Sequence, residues 1–299
     1  MKHTWKITLV LLGMFLITQF IGLAVINSYI GKQLPYGMQP PEMAPQVSIT
    51  SIIISFAIAI LLIFLLMKIK ATIFLRLWFF VVVLIALAIT FNSLFASIPY
   101  ASYISLIIAL PLSFYKIFRR NLVVHNLTEL LIYPGIAAVF VPILNLWAII
   151  LLLLLISIYD IYAVWHSGFM QKMAQFQINQ LKLFAGFFIP YASKEAREKI
   201  NLLKQKYKEK ALEKKLKKAK IKVNLAILGG GDVVFPIIFA GVVFSVLGLF
   251  PAIIVSLFAT LALFILQIFA RKNKFYPAMP FLTAGCLLGL LIGYLVHIL

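Results

Sequence analysis

The chain has two aspartates among its 299 residues, and both lie inside apolar segments: Asp160 in "IYDIYAV" (158–164) and Asp232 in "LGGGDVVFP" (228–236). An ionisable side chain within hydrocarbon is costly, and its default reading is functional. Two carboxylates a few ångströms apart cannot both ionise, so they share a proton and titrate as a unit. Such a pair suits peptide hydrolysis. The ionised member takes a proton from water, and the neutral member donates to the carbonyl. This chemistry needs no metal or other cofactor. Competing peptidase chemistries lack their residues: there is no H-E-x-x-H, the histidines 3, 125, 166 and 297 stand apart, and no serine sits in G-x-S-x-G. Paired intramembrane carboxylates also build proton relays. A proton-coupled transporter or channel is therefore the first alternative, and a structural clamp that shares one proton between helices is the second. The chain shows no internal repeat, which weighs against a repeat-built transporter.

The elements that must position this pair are membrane helices. The composition is 64% hydrophobic and 12% charged. Apolar runs long enough to span a bilayer fall at 7–30, 49–67, 72–95, 98–117, 122–144, 146–169, 223–247, 250–270 and 277–298. Helices satisfy their own backbone in lipid, and the alternation of a membrane barrel is absent. The expectation is an all-α polytopic fold of nine transmembrane helices. Asp160 is on the sixth span and Asp232 on the seventh. At a helical rise of about 1.5 Å per residue, Asp232 lies roughly 15 Å beyond Lys222 and Asp160 roughly 18 Å before Lys172. The two spans run in opposite directions, so the carboxylates reach one level. Gly229, Gly230 and Gly231 let another helix approach, and Pro236 removes a backbone donor from the same stretch. Tyr159 places a hydroxyl next to Asp160, and Ser157 and Val164 share the face of Asp160.

The net charge of +19 first suggests nucleic acid. The positions of the charges exclude that partner. With nine spans, 26 of the 27 basic residues fall on one side, fifteen of them between Lys172 and Lys222, and Lys32 alone falls on the other. This is the positive-inside pattern. It puts the N-terminus in the cytoplasm and the C-terminus outside. The first apolar run lacks a small-residue cleavage site and reads as a retained span. Cys286 is the single cysteine, so no intramolecular disulfide forms, and it reads as a packing residue.

With these residues the sequence resembles the presenilin and signal-peptide-peptidase family of intramembrane aspartyl proteases. "IYDIYAV" is similar to the family's YD motif on the sixth helix, "GGGD" (229–232) to its G-x-G-D motif on the seventh, and "YPAMPF" (276–281) to the P-A-L motif that opens the ninth. The motifs occur in the family's order, with a long hydrophilic loop between spans six and seven. The resemblance implies an aspartic endopeptidase of the GxGD type that cleaves within substrate membrane helices. It makes Asp160 and Asp232 the catalytic pair. It also makes Pro277, Ala278 and Met279 residues that shape the site and help hold an unwound substrate, with Met279 where the family has leucine. Pro277 lies three residues after Lys274, so the chain before it must dip inward to reach the aspartates. The basic loop on the cytoplasmic side matches the presenilin orientation, which implies substrates with their N-termini outside.

Three parts follow: 1–169 with six helices and Asp160, 170–222 as the basic cytoplasmic loop, and 223–299 with three helices, Asp232 and the PAL-like motif. Within the loop, "LFAGFFIPYA" (183–192) reads as a half-buried segment, a short helix along the membrane. Residues 194–222 read as an amphipathic helix on anionic lipid. Glu129, with His125 one turn before it, is either a third proton-handling group or a buried partner of a basic side chain. His166 reads as interfacial. The partners expected are transmembrane protein or peptide substrates and anionic lipids. Nucleic acid is excluded and a homo-oligomer is left open. The location expected is the cell membrane, as a multi-pass protein.

Overall fold

The computed structural model describes residues 5–38, 72–119, 121–167, 185–192, 223–270 and 276–298, and isolated positions between 50 and 65. Its helices are α1 (Trp5–Tyr29), α2 (Thr72–Leu94), α3 (Ala101–Phe118), α4 (Leu122–Phe140), α5 (Leu146–Tyr162), α6 (Gly230–Leu247), α7 (Leu249–Phe269) and α8 (Met279–Ile298). They correspond to predicted spans one and three to nine. Among the described residues, eight helices are long and apolar enough to cross a membrane. The predicted second span (49–67) lies largely outside the described residues, although its described positions are helical. The amphipathic helix expected over 194–222 also lies outside them.

The helix starts follow local chemistry. Asn121 caps α4 by accepting from the Val123 and Val124 amides, and Asn145 caps α5 by accepting from Ala148. Without water, a membrane helix must satisfy its first amides this way or against a neighbour. Helix α4 runs unbroken through Pro134, where the Thr90 hydroxyl of α2 donates to the Leu131 carbonyl at 2.7 Å. That bond satisfies backbone in the turn that the proline disturbs.

Helix α6 is the hub. It packs against α1, α4, α5, α7 and α8. Val233, Ile237, Phe239, Ala240, Val242 and Val243 are fully buried along it. A helix apolar all round suits that central place. The outer helices expose large side chains, such as Ile73 and Leu77 on α2 and Ile107 on α3, as lipid-facing surface does. Helix α8 lies close on α7. Any Cβ at Gly289 would stand 2.7 Å from the Val255 Cα, so the glycine sets how near the two axes come.

Two expectations need correction. The fold is not all-α, because β1 (Gly186–Ala192) and β2 (Val223–Gly229) form an antiparallel two-stranded sheet. The segment expected as a short helix over 183–192 is therefore a strand where it is described. The seventh span is also not helical from 223, because α6 begins at Gly230. Periodicity misreads both stretches for one reason. Short apolar runs fit a buried strand as well as a helix, and here β-branched and aromatic residues meet a partner of matching register. The pairing runs from Gly186↔Gly229 to Ala192↔Val223. Strands rise about 3.3 Å per residue, so the helical depth count from Lys222 does not hold for Asp232.

Candidate active site

The strand-to-helix junction at 229–232 explains the glycines individually. Gly229 caps α6, Gly230 and Gly231 form its first residues, and Asp232 completes the first turn. The Asp232 carboxylate turns back to the Gly229 amide, as an acid in the third helical position does in a capping box. It also sits at the positive end of the helix dipole. Gly230 faces inward. A Cβ there would lie 2.6 Å from the Tyr133 hydroxyl oxygen and 3.2 Å from the Ala185 Cβ. Gly231 faces open space, and a Cβ there would meet only its own helix's Phe235 at 3.7 Å.

This asymmetry gives a prediction. Gly230→Ala should lower stability by about 1–3 kcal/mol through overpacking, and Tyr133→Phe in the same chain should recover part of the loss. Gly231→Ala should leave stability unchanged or raise it by up to about 1 kcal/mol through helix propensity. Thermal unfolding in detergent reads all three variants. Equal losses at the two glycines would refute the assignment of Gly230 as the contact position.

Asp160 sits near the C-terminal end of α5 and is 4% exposed. That end of a helix is unfavourable for a carboxylate. A second helix compensates. Asp160 Oδ2 accepts from the Met279 amide at 3.0 Å, and the Ala278 amide lies against the same carboxylate. Ala278 precedes the first turn of α8, accepting from the Leu282 amide at 3.1 Å. Both aspartates are therefore held by free amides at helix starts, one by its own helix and one by α8. One turn away, the Ser157 hydroxyl meets the Thr283 hydroxyl at 2.8 Å and fixes α5 against α8.

The PAL-like segment thus reaches Asp160, while the inward dip expected of the chain before Pro277 falls on 271–275, outside the described residues. Pro277 and Met279 are buried and Ala278 is partly so. The contact runs through backbone and not through the Met279 side chain. Met279→Leu should accordingly keep kcat/KM within about twofold, since the volumes are close. A loss above tenfold in a cleavage assay would show that the thioether itself matters.

Asp160 and Asp232 lie within electrostatic reach of each other, and α5 packs against α6. Asp160 Oδ1 is buried and has no hydrogen-bond partner among the described residues. Tyr159 is half-buried beside Asp160. Among the described residues, no group of three or more His, Cys, Asp or Glu side chains could hold a metal ion. Cys286 is buried, consistent with packing.

The structure also brings in Tyr133 and Gln19, which were not singled out from sequence, and decides between the readings of Glu129. Tyr133 of α4 is buried beneath Gly230 and packs edge-on against Phe187 of β1 at 5.9 Å. Gln19 of α1, fully buried, donates to the Val233 carbonyl at 3.2 Å, next to Asp232. Glu129 pairs with Lys116 of α3 and stands 3.6 Å from His125. That is the second of its two readings, a buried partner of a basic side chain. The available signal was spacing: Asn126, Glu129 and Tyr133 recur three and four residues apart, a polar stripe on one face of an apolar helix.

Comparison with known proteins bears on the family and the fold. A family model described as "Signal-peptide peptidase, presenilin aspartyl protease" matches residues 12–298. A search of curated proteins finds no match. Among solved structures, a presenilin family intramembrane aspartate protease in space group C222 superposes with a TM-score of 0.63 at 19% identity, covering 97% of this chain and 99% of that one. A P2 crystal form of a presenilin family intramembrane aspartate protease gives 0.62 at 18% identity, covering 96% and 97%.

Proposed function

The chain belongs to the signal-peptide-peptidase and presenilin family of aspartyl proteases, and from that premise we propose that Asp160 and Asp232 are the GxGD-type pair that hydrolyses peptide bonds in transmembrane segments. The observation that carries this reading is the shared setting of the two carboxylates. Each is anchored at a helix start, they lie within electrostatic reach of each other, and Asp160 Oδ1 has no hydrogen-bond partner among the described residues. One proton is held between the two carboxyls. The ionised member takes a proton from the attacking water while the protonated member donates to the substrate carbonyl oxygen. Collapse of the tetrahedral adduct returns a proton to the leaving amine and restores the pair.

A helical substrate hides its peptide bonds, so it must unwind locally before attack. Edge pairing of the unwound stretch with enzyme backbone is a simple way to hold it. The β1 strand offers no edge for this, because its inner edge is taken by β2 and its outer edge meets α4 through Asn126 and His125. The pairing edge is therefore β2, which leads directly into Gly229 and Asp232. Residues 277–279 line the opposite side by holding Asp160.

The finer parts of the reading rest on charge and on the family. Substrates enter with their N-termini outside, and the N-terminus of the enzyme is cytoplasmic in the cell membrane. The basic segment 170–222 contacts anionic lipid and joins the six-helix part (1–169) to the three-helix part (223–299). The test is cleavage of a single-span substrate by the purified full chain in detergent, with products identified by mass. Proton flux measured in proteoliposomes accompanies it. Cleaved products without flux support the protease. Flux that depends on both aspartates, with no product from any of several single-span substrates, would favour the transporter.

A further inference from the structure

The outer edge of β1 is bonded to α4 at Gly186 and Phe188. The Asn126 side chain acts as a strand partner to Phe188: its Nδ2 donates to the Phe188 carbonyl at 2.8 Å, and its Oδ1 accepts from the Phe188 amide at 3.0 Å. Two residues earlier, the Gly186 carbonyl lies 2.8 Å from His125 Nε2. His125 Nδ1 faces Lys116 Nζ at 3.3 Å, so Nδ1 accepts and Nε2 donates to Gly186. Two residues later, on the same outward-facing set, stands Pro190, which has no amide hydrogen to offer.

Every second residue of an antiparallel strand points its amide and carbonyl away from its partner. Phe188 points toward α4, so its opposite residue Ile227, and Leu225 opposite Pro190, present their backbone groups on the far edge of β2. Among the described residues, no backbone hydrogen bond reaches Leu225 or Ile227 from outside the sheet. Among the described residues the sheet is therefore one-sided, bonded to α4 along β1 and open along β2.

We propose that Asn126, supported by His125, is a positioning residue that clips the sheet to α4, so that an added substrate strand docks in one register relative to Asp232. This inference rests on the reading that substrate pairs with β2. A two-stranded ribbon alone fixes its register weakly. The clip ties it to the helix that also carries Tyr133 against Gly230, so the sheet and the Asp232 turn share one reference.

The test is Asn126→Ala in the full-length chain, read by product masses, by KM and kcat separately, and by thermal unfolding. The expected result is cleavage spread over neighbouring peptide bonds and a KM raised by about five- to tenfold, because a slipped strand still reaches the aspartates but in several registers. Unchanged product masses and KM would overturn the proposal, whether or not the melting temperature falls. If Asn126→Ala does not fold, Asn126→Asp decides by the same readouts. It keeps the acceptor for the Phe188 amide and loses the donor to the Phe188 carbonyl, so a smaller spread of products is expected. Ile227→Pro separates this inference from the one beneath it. If that variant cleaves normally, the β2 reading fails. If it loses cleavage while the Asn126 variants keep a single product, only the clip fails.

Discussion

Asp160→Asn and Asp232→Asn are each expected to lower cleavage by at least about a thousandfold while leaving the fold intact. The argument for lost activity is that an amide neither accepts a proton from water nor shares one with the remaining carboxylate. In the proposed mechanism the two groups act as a unit, so the double variant should be no worse than either single one. The argument for a retained fold is local. Asparagine keeps an acceptor oxygen for the Met279 amide at position 160 and for the Gly229 amide at position 232. Circular dichroism and melting in detergent should therefore match the parent closely. The measurement is product formation from a single-span substrate beside those two controls. Full cleavage by either folded variant would remove the dyad mechanism. Collapse of both variants would point to a structural clamp instead.

Ile227→Pro should lower kcat/KM by about ten- to a hundredfold while keeping the β1–β2 pairing. Ile227 lies opposite Phe188, whose backbone bonds to Asn126, so the Ile227 amide faces away from β1. Proline there removes no bond of the ladder and is tolerated on an open edge, as Pro190 already is on the other strand. It removes one donor that an added strand would use, and its ring crowds the approach. Proline at Ala226 is the contrasting control. That residue faces Ile189 across the ladder, so the sheet itself should weaken and melting should fall. A normal rate for Ile227→Pro with intact folding would exclude substrate pairing on β2.

Much of the site was legible because lipid makes polar residues conspicuous. Two aspartates in an otherwise apolar background need no tertiary knowledge to be noticed. Three short motifs in order then carry the resemblance on which their proposed role rests. Less legible were Gln19, Asn126, Tyr133 and Thr283. Each is a common polar residue whose value depends on one partner: the Val233 carbonyl, the Phe188 backbone, the Gly230 turn and the Ser157 hydroxyl. Those partners lie tens to hundreds of residues away in the chain, beyond any local pattern.

Legible from sequence were the eight described helices of membrane length and the apolar settings and motifs of Asp160 and Asp232. These follow from composition and spacing, which solvent and hydrocarbon act on directly. The tertiary structure decided the rest. It made 186–192 and 223–229 strands, set Asp232 in the first turn of α6, and brought the Met279 amide to Asp160. The physical reason is that a strand has no internal hydrogen bonds, so an isolated apolar run cannot declare itself one. The pairing of β1 with β2, and the Asn126 bonds from α4, satisfy much of that backbone.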